Sequence, residues 1–328
     1  MSDAHSSYIG AKPSYPLITA IQAAARRRRV WRVETDVDRA TLAAFVSGSV
    51  LAGGNGVAIR YSNRELDPLW GAGLRFVLAA LLMFALVAML RVTLPRGRAL
   101  AGAVIFGLLQ FGATYAFAYY ALIELHAGFA QILLALVPLL TLFLAVGQRQ
   151  ERFRLTALGG ALLALAGIVV MSSAPLEDSL PLLSVLAALA SALCFAEAAV
   201  LVRWLPPVHP VAMNAVGMTT GAIALVLAAL VAGETLELPN RSATWSAVVY
   251  IATFGSIGVF LLYLFVLGRW VASRAAYSFV LIPVVTVVLS AWLDDEPMGV
   301  GLVLGGSLVL AGVYVGALRS PTESASAH

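Results

Sequence analysis

Charge is scarce in this chain. Of its 328 residues, 12% are charged and 61% hydrophobic, whereas a soluble globular domain is about a quarter charged and half apolar. A water-soluble fold of this length could not hide so much apolar surface, which leaves a lipid bilayer as the solvent. Lysine is nearly absent: Lys12 stands alone among 21 basic residues, the rest being arginine. Cysteine is reduced to Cys194, inside an apolar run. That excludes an intrachain disulfide and a Cys/His zinc pattern, and Cys194 reads as a small buried hydrophobe. The four histidines, His5, His126, His209 and His328, fall at the ends and in loops. With no HExxH, no Ser/His/Asp set and no nucleotide-binding loop, an enzyme, an ATP-driven pump and a resident metal or cofactor are all disfavoured. The formal net charge of +4 does not point to nucleic acid, because the basic residues are distributed over inter-helix loops.

Long apolar runs are what the chain has in abundance. Ten of them occupy 41–59, 69–90, 99–123, 127–147, 155–174, 180–202, 211–233, 243–267, 272–293 and 299–318. Each can cross a hydrocarbon core of about 30 Å at ~1.5 Å per residue. The backbone must satisfy its own hydrogen bonds there, so the runs are helices, and the period-two alternation of a membrane barrel is missing. The expected fold is all-α and integral to a bacterial inner membrane. Residues 1–40 form a polar tail ending in Arg26–Arg29, Val30, Trp31 and Arg32. It reads either as an anchor for anionic lipid or as a tail that only sets orientation. The apolar run after it is long enough to span, unlike a cleavable leader.

The arginines set the topology. With the N-terminus in the cytoplasm, 17 of the 21 basic residues fall on that side, including Arg91, Arg96, Arg98, Arg149, Arg152, Arg154, Arg203, Arg269, Arg274 and Arg319. The opposite side keeps Arg60, Arg64 and Arg241, and its loops are acidic: Glu65, Asp67, Glu124, Glu177, Asp178, Glu234, Glu237, Asp294, Asp295 and Glu296. Ten spans with both termini cytoplasmic satisfy this asymmetry.

The chain also repeats itself. Residues 127–171 laid on 272–316, a shift of 145, give 13 identities in 45 positions. The aliphatic ones count for little. Pro138 with Pro283, Thr141 with Thr286, Glu151 with Glu296, Gly160 with Gly305 and Ala166-Gly167 with Ala311-Gly312 share one register and count for more. Glu151 sits among arginines and Glu296 among aspartates, so the same motif ends on opposite faces. Two five-helix units, 41–174 and 180–318, inverted relative to one another, explain that. Such inverted repeats are a transporter architecture. Residues 319–328 make a second cytoplasmic tail.

These motifs, Ala127-Gly128-Phe129-Ala130 with Pro138, Thr141 and Glu151, and Ala272-Ser273-Arg274-Ala275 with Pro283, Thr286 and Glu296, resemble the drug/metabolite transporter superfamily. The likeness is to its ten-helix EamA-type permeases. Gly48, Ala58-Ile59-Arg60, Pro68 and Arg75-Phe76 extend the resemblance over 41–318. It implies a secondary transporter, an efflux permease for an amino acid or related small solute, with a central cavity lined by helices 1, 3, 4, 6, 8 and 9. An exporter of cationic compounds is the alternative within that class; a channel or a membrane enzyme is the alternative outside it. Small multidrug relatives carry an acidic residue in their first helix. Here 41–59 holds none, so that proton exchange does not carry over.

Several residues are candidates for the solute path. Glu197 is an intramembrane carboxylate roughly 9 Å from a helix end, either a solute or proton site or a partner of Arg203 or a loop arginine. Arg75 would meet a solute carboxylate, or else snorkel or bind loop carboxylates and carbonyls. Gly53-Gly54-Asn55-Gly56 would either unwind the first helix, offering Asn55 and bare backbone to a solute, or permit close packing. Gln110 with Thr114, and Gln131 with Pro138, share helix faces; together with Tyr115, Tyr119, Tyr263 and Tyr277 they would make a polar, aromatic surface. Pro138 and Pro283 are expected mid-helix, as gating kinks or static ones. Gly301, Gly305, Gly312 and Gly316 permit close helix approach, inside the fold or at a homodimer seam.

Overall fold

A computed structural model describes residues 38–121, 124–125, 133–171, 181–293 and 300–318. Among the described residues there are ten helical rods and no strand. Helix α1 spans Arg39–Ser62 and α2 Pro68–Met89. Helix α3 spans Arg98–Ala121, with a π-helical stretch, Leu108–Ala113, in its middle. Helices α4 to α7 are Val137–Gly147, Leu155–Met171, Leu182–Leu201 and Pro210–Ala232. Helix α8, Ser242–Leu267, carries a second π-helical stretch, Thr253–Gly258. Helix α9 is broken into Ala272–Ala275 and Ser278–Leu293. Helix α10 covers 300–318 and ends in π-helical turns over Tyr314–Leu318. The protein is thus all-α and multi-pass, and each described rod overlaps one of the ten apolar runs.

Local chemistry sets the helix ends. Asp38 caps α1 by accepting from the Thr41 N–H at 2.9 Å, one of the orphan donors of a first turn. Pro68 and Pro210 open α2 and α7, where a missing N–H costs nothing. Gly233, at φ 76°, ends α7 in the left-handed region, which favours glycine.

The pairing of helices obeys an exchange between the halves. α2 packs on α7 and α5 on α10; α1 packs on α9 and α8, as α6 packs on α4 and α3. Adding five to each helix number maps this set onto itself. The two π-helical stretches obey the same shift of 145 residues as the sequence repeat, Leu108–Ala113 onto Thr253–Gly258. Helices hydrophobic all round, with Leu81, Ile223, Val231 and Leu304 exposed, present those side chains to lipid.

Loops after odd-numbered helices meet at one end. Glu65 accepts from the N–H groups of Asn240 (2.5 Å) and Arg241 (3.4 Å), and Asp67 from the N–H and hydroxyl of Thr235 (2.8 Å each). Glu234 accepts from the N–H groups of Leu69 and Trp70 at 3.1 and 2.7 Å, a carboxylate on the positive end of α2. Loops after even-numbered helices meet at the other end. There Glu151 accepts from the Ser273 N–H at 3.1 Å and from its hydroxyl, holding the start of α9, and Arg203 donates to the Trp270 carbonyl at 2.8 Å. Glu296, the counterpart of Glu151, lies outside the described residues.

Two expectations need correction. α1 does not unwind at its glycines: it is continuous over Arg39–Ser62, and the glycines serve packing. A Cβ on Gly53 would lie 2.4 Å from Val285 Cγ1, and one on Gly54 2.2 Å from the Tyr250 hydroxyl. Pro138 does not kink a continuous helix either. The helix breaks at 135–136 and α4 restarts at Val137 with Pro138 in its first turn, because proline's ring clashes with the preceding turn and its nitrogen has no proton to donate there. Pro283 does sit inside α9, but the break in that helix falls upstream, at 276–277. The glycines of α10 are used within the chain: a Cβ on Gly312 would lie 2.6 Å from the Ala164 N and the Gly160 O, and one on Gly160 2.5 Å from the Gly316 N.

Candidate functional site

Between the halves lies a cavity of about 240 Å³, lined from α1, α2, α3, α6, α8 and α9 and by Leu134 just before α4. Both helix breaks border it, through Leu134 on one side and Ala275 and Ser278 on the other. Its walls are mainly apolar and aromatic. Phe195, Tyr263 and Phe279 pack edge-on or tilted at centroid distances of 4.0 to 6.4 Å, and Phe260 stacks edge-on against Phe111 at 4.7 Å.

Arg75 supplies the one formal charge among the described lining residues. Helix α2 carries it into the bundle, where it is 1% exposed. It neither snorkels nor binds a loop carboxylate. Its Nε donates to the Ser256 hydroxyl at 2.7 Å and one terminal nitrogen to the Gly255 carbonyl at 3.0 Å. Its guanidinium carbon lies 4.9 Å from the Phe76 ring centre and 5.1 Å from that of Tyr115, both within cation–π range. The other terminal nitrogen, Nη1, is buried with no partner among the described residues.

The π-helical stretch of α8 makes this arrangement. Ser256 donates its own proton to the Ile251 carbonyl at 2.7 Å, which leaves a lone pair to accept from Arg75. Gly255 has no side chain to obstruct the approach: a Cβ there would lie 1.8 Å from Asn55 Oδ1. Asn55 Nδ2 donates to the same Gly255 carbonyl at 3.0 Å, so Arg75 and Asn55 hang on one oxygen. Asn55 Oδ1 and the Tyr263 hydroxyl, both buried at the cavity, have no partner among the described residues. Thr286 donates to the Gly53 carbonyl at 2.9 Å and Ser191 to the Thr114 carbonyl at 2.8 Å, tying α9 to α1 and α6 to α3 across the cavity.

Of the residues singled out from sequence, Arg75, Asn55, Thr114, Tyr115 and Tyr263 come together at this cavity. Tyr119, Glu197, Tyr277 and Gln110 do not line it. Glu197 faces the C-terminal end of α4, where Gln148 Nε2 donates to its two oxygens at 3.0 and 2.8 Å. Trp204 holds that amide by donating to Gln148 Oε1 at 3.0 Å, and Arg203 turns to Trp270 instead. Tyr277 passes over Gly316, where a Cβ would meet its hydroxyl at 1.9 Å, and donates to the Ala157 carbonyl at 2.5 Å. Gln110 is fully buried in the π-helical stretch of α3, with neither amide atom partnered among the described residues, but it does not line the cavity. Gln131 lies outside the described residues. Sequence reasoning missed Gly255, Ser256, Ser191 and Thr286 as site residues. The shift of 145, extended upstream from 127 to 108–113, was the signal that pairs the two π-helical stretches.

The EamA-like transporter family matches this chain twice, over residues 39–173 and 182–317. The chain belongs to that family. Among its relatives, an uncharacterized transporter of Archaeoglobus fulgidus is 25% identical over 79% of this chain and 91% of its own length. The inner membrane transporter YedA of Escherichia coli is 29% identical over 76% of this chain and 81% of its own. A protein of Escherichia coli named "probable amino-acid metabolite efflux pump" is 27% identical over 81% of this chain and 91% of its own. A solved crystal structure superposes with a TM-score of 0.74 at 22% identity, over 86% of this chain and 97% of the other, and has the same fold. This EamA-family protein is a multi-pass inner-membrane transporter and not an enzyme.

Proposed function

We propose that this transporter exports a small metabolite, an amino acid or a related solute, by alternating access, with the cavity around Arg75 as its solute site. The observation that carries this reading is a mainly apolar chamber with aromatic side chains in its wall, at the seam of two exchanged halves, holding one buried cation and no carboxylate among its described lining residues. Rocking of one half against the other about a fixed midplane site is the motion such repeats support. The breaks at 135–136, before α4, and at 276–277, within α9, both border the chamber and are where such a motion would bend.

Both termini face the cytoplasm in this reading, which puts the arginine-rich even-numbered loops inside. Similarity to a named amino-acid metabolite efflux pump favours the solute class and the outward direction. The absence of a carboxylate among the described lining residues disfavours an exporter of cations.

Purified protein in liposomes, offered amino acids and cationic dyes with and without a pH gradient, tests this. Saturable movement of amino acids supports it, and the effect of the gradient tells proton coupling from facilitation. Movement of the dyes alone, or flux that does not saturate, overturns it.

A further inference from the structure

We infer that the transported solute carries a carboxylate, and that this group binds Nη1 of Arg75, with the apolar body of the solute against Tyr115, Phe195, Tyr263 and Phe279. The inference rests on the proposed function and names the chemistry of the same site.

Three observations support it. First, Arg75 is 1% exposed and its two satisfied nitrogens have neutral acceptors, Ser256 Oγ and the Gly255 carbonyl. An arginine does not shed its proton in a protein, so a full positive charge is buried here with no carboxylate among the described lining residues. Glu234, in the loop after α7, is engaged by the N–H groups of Leu69 and Trp70. An ionisable group at membrane depth marks a solute or ion pathway by default, because its burial is costly otherwise.

Second, the orphan atom is a donor in the right place. Nη1 is buried, without a partner among the described residues, and on a residue that lines the chamber. A side chain whose only task was to tie α2 to α8 would be complete with its two bonds to the π-helical stretch. The third nitrogen is what an anionic oxygen would use, and charge-assisted bonds of this kind are the strong ones.

Third, the guanidinium is pre-oriented. Ser256 and Gly255 fix its plane, and the rings of Phe76 and Tyr115 flank it at 4.9 and 5.1 Å. A donor held this way loses little freedom when the ligand arrives. Beside it, Asn55 hangs on the same carbonyl with Oδ1 unpartnered among the described residues, an acceptor suited to an amino group next to the carboxylate.

The test uses the full chain in liposomes and a panel of aromatic and aliphatic L-amino acids, each beside its carboxamide and its amino alcohol. Wild-type protein is expected to move the acids about 30-fold or more faster than the neutral-headed analogues, the discrimination a buried charged hydrogen bond provides. Arg75→Gln is expected to slow the acids by a similar factor and bring acid and amide to parity. Arg75→Lys keeps the charge without the fork and should fall between. A purely structural arginine would lower acids and amides together, leaving their ratio at the wild-type value; that result overturns the inference and leaves the proposed function standing. So does a wild-type protein that moves acid and amide alike. A wild-type protein that moves no member of the panel overturns both. If Arg75→Gln is not recovered as a monodisperse protein, the wild-type acid-to-amide ratio and the Arg75→Lys variant decide.

Discussion

Gln110 and Gly255 occupy the same place in the two halves, 145 residues apart and each third in a six-residue π-helical stretch. They present opposite things to the bundle. Gln110 keeps a long side chain, buried without partners among the described residues. Gly255 has none, and its bare carbonyl receives both Arg75 and Asn55. A hydroxyl just past the first stretch and one within the second each donate to a carbonyl five residues back, Thr114 to Leu109 and Ser256 to Ile251, both at 2.7 Å. Such stretches are rare and concentrate at functional sites. A symmetric scaffold therefore encloses an asymmetric chamber, with the cation on one side only.

Gly255→Ala should disable the site. The added Cβ would fall 1.8 Å from Asn55 Oδ1, so Asn55 must leave the carbonyl. Overpacking of this kind costs about 1–3 kcal/mol, read as a lowered melting temperature in detergent. Transport should fall about tenfold or more by the same arithmetic. Gly258→Ala is the control, since its Cβ would lie 3.3 Å from the flexible end of Leu51. Equal transport by the two variants would contradict the assignment of Gly255.

Glu197→Gln should leave transport and its pH dependence at wild-type values, because the carboxylate is bound to Gln148 outside the chamber. An amide in its place still accepts from Gln148, so the loss of stability should stay near ~1 kcal/mol. A shifted pH–rate profile would return Glu197 to the solute path.

Gly312→Val should prevent recovery of folded protein. Its Cβ would sit 2.6 Å from backbone atoms of Ala164 and Gly160, and a helix backbone cannot yield as a side-chain tip can. Gly159→Ala, on the same α5 but with nothing within 4 Å of its Cβ, should be neutral or gain up to about 1 kcal/mol from helix propensity. Size-exclusion profiles after solubilisation separate the two outcomes.

The end of the molecule closed by Glu65 and Asp67 should loosen in acid. Hydrogen bonds from the Thr235 backbone and side chain hold the Asp67 carboxyl below its ordinary 3.8. Those from the Thr244 side chain and then the Asn240 backbone hold Glu65 below its ordinary 4.5. A depressed folded-state value contributes stability that is present above the unfolded value and lost as pH falls through the folded one. Protection of the Thr235 and Asn240 amides, corrected for the intrinsic pH dependence of exchange, should therefore stay constant from neutral pH down to the ordinary carboxylate range and fall below it. Asp67→Asn should show lower protection at Thr235 already at neutral pH. Protection at Thr235 that is unchanged by acid would contradict this clamp.

Much of this was legible in the order of residues. The ten runs, their alternating arginine and acid loops, and the Pro138/Pro283 and Glu151/Glu296 register follow from hydropathy and charge, which act along the chain and need no partner. Arg75 and Asn55 could be singled out because an ionisable or strongly polar group at membrane depth is rare. What those groups do could not be read there. Glu197 and Arg75 look equally exceptional as letters, yet one is bound to Gln148 at a helix end and the other faces the chamber. Tyr277 and Tyr263 lie on neighbouring helices, and only the gap left by Gly316 sends Tyr277 to the carbonyl of Ala157.

The sequence by itself determined the solvent, the helix count and the duplicated plan, because burying apolar backbone in lipid leaves the chain almost no alternative. Tertiary structure alone decided which polar atoms meet. The π-helical stretches shift side chains off the regular helical period, and a carbonyl such as that of Gly255 becomes a meeting point only when three helices converge on it.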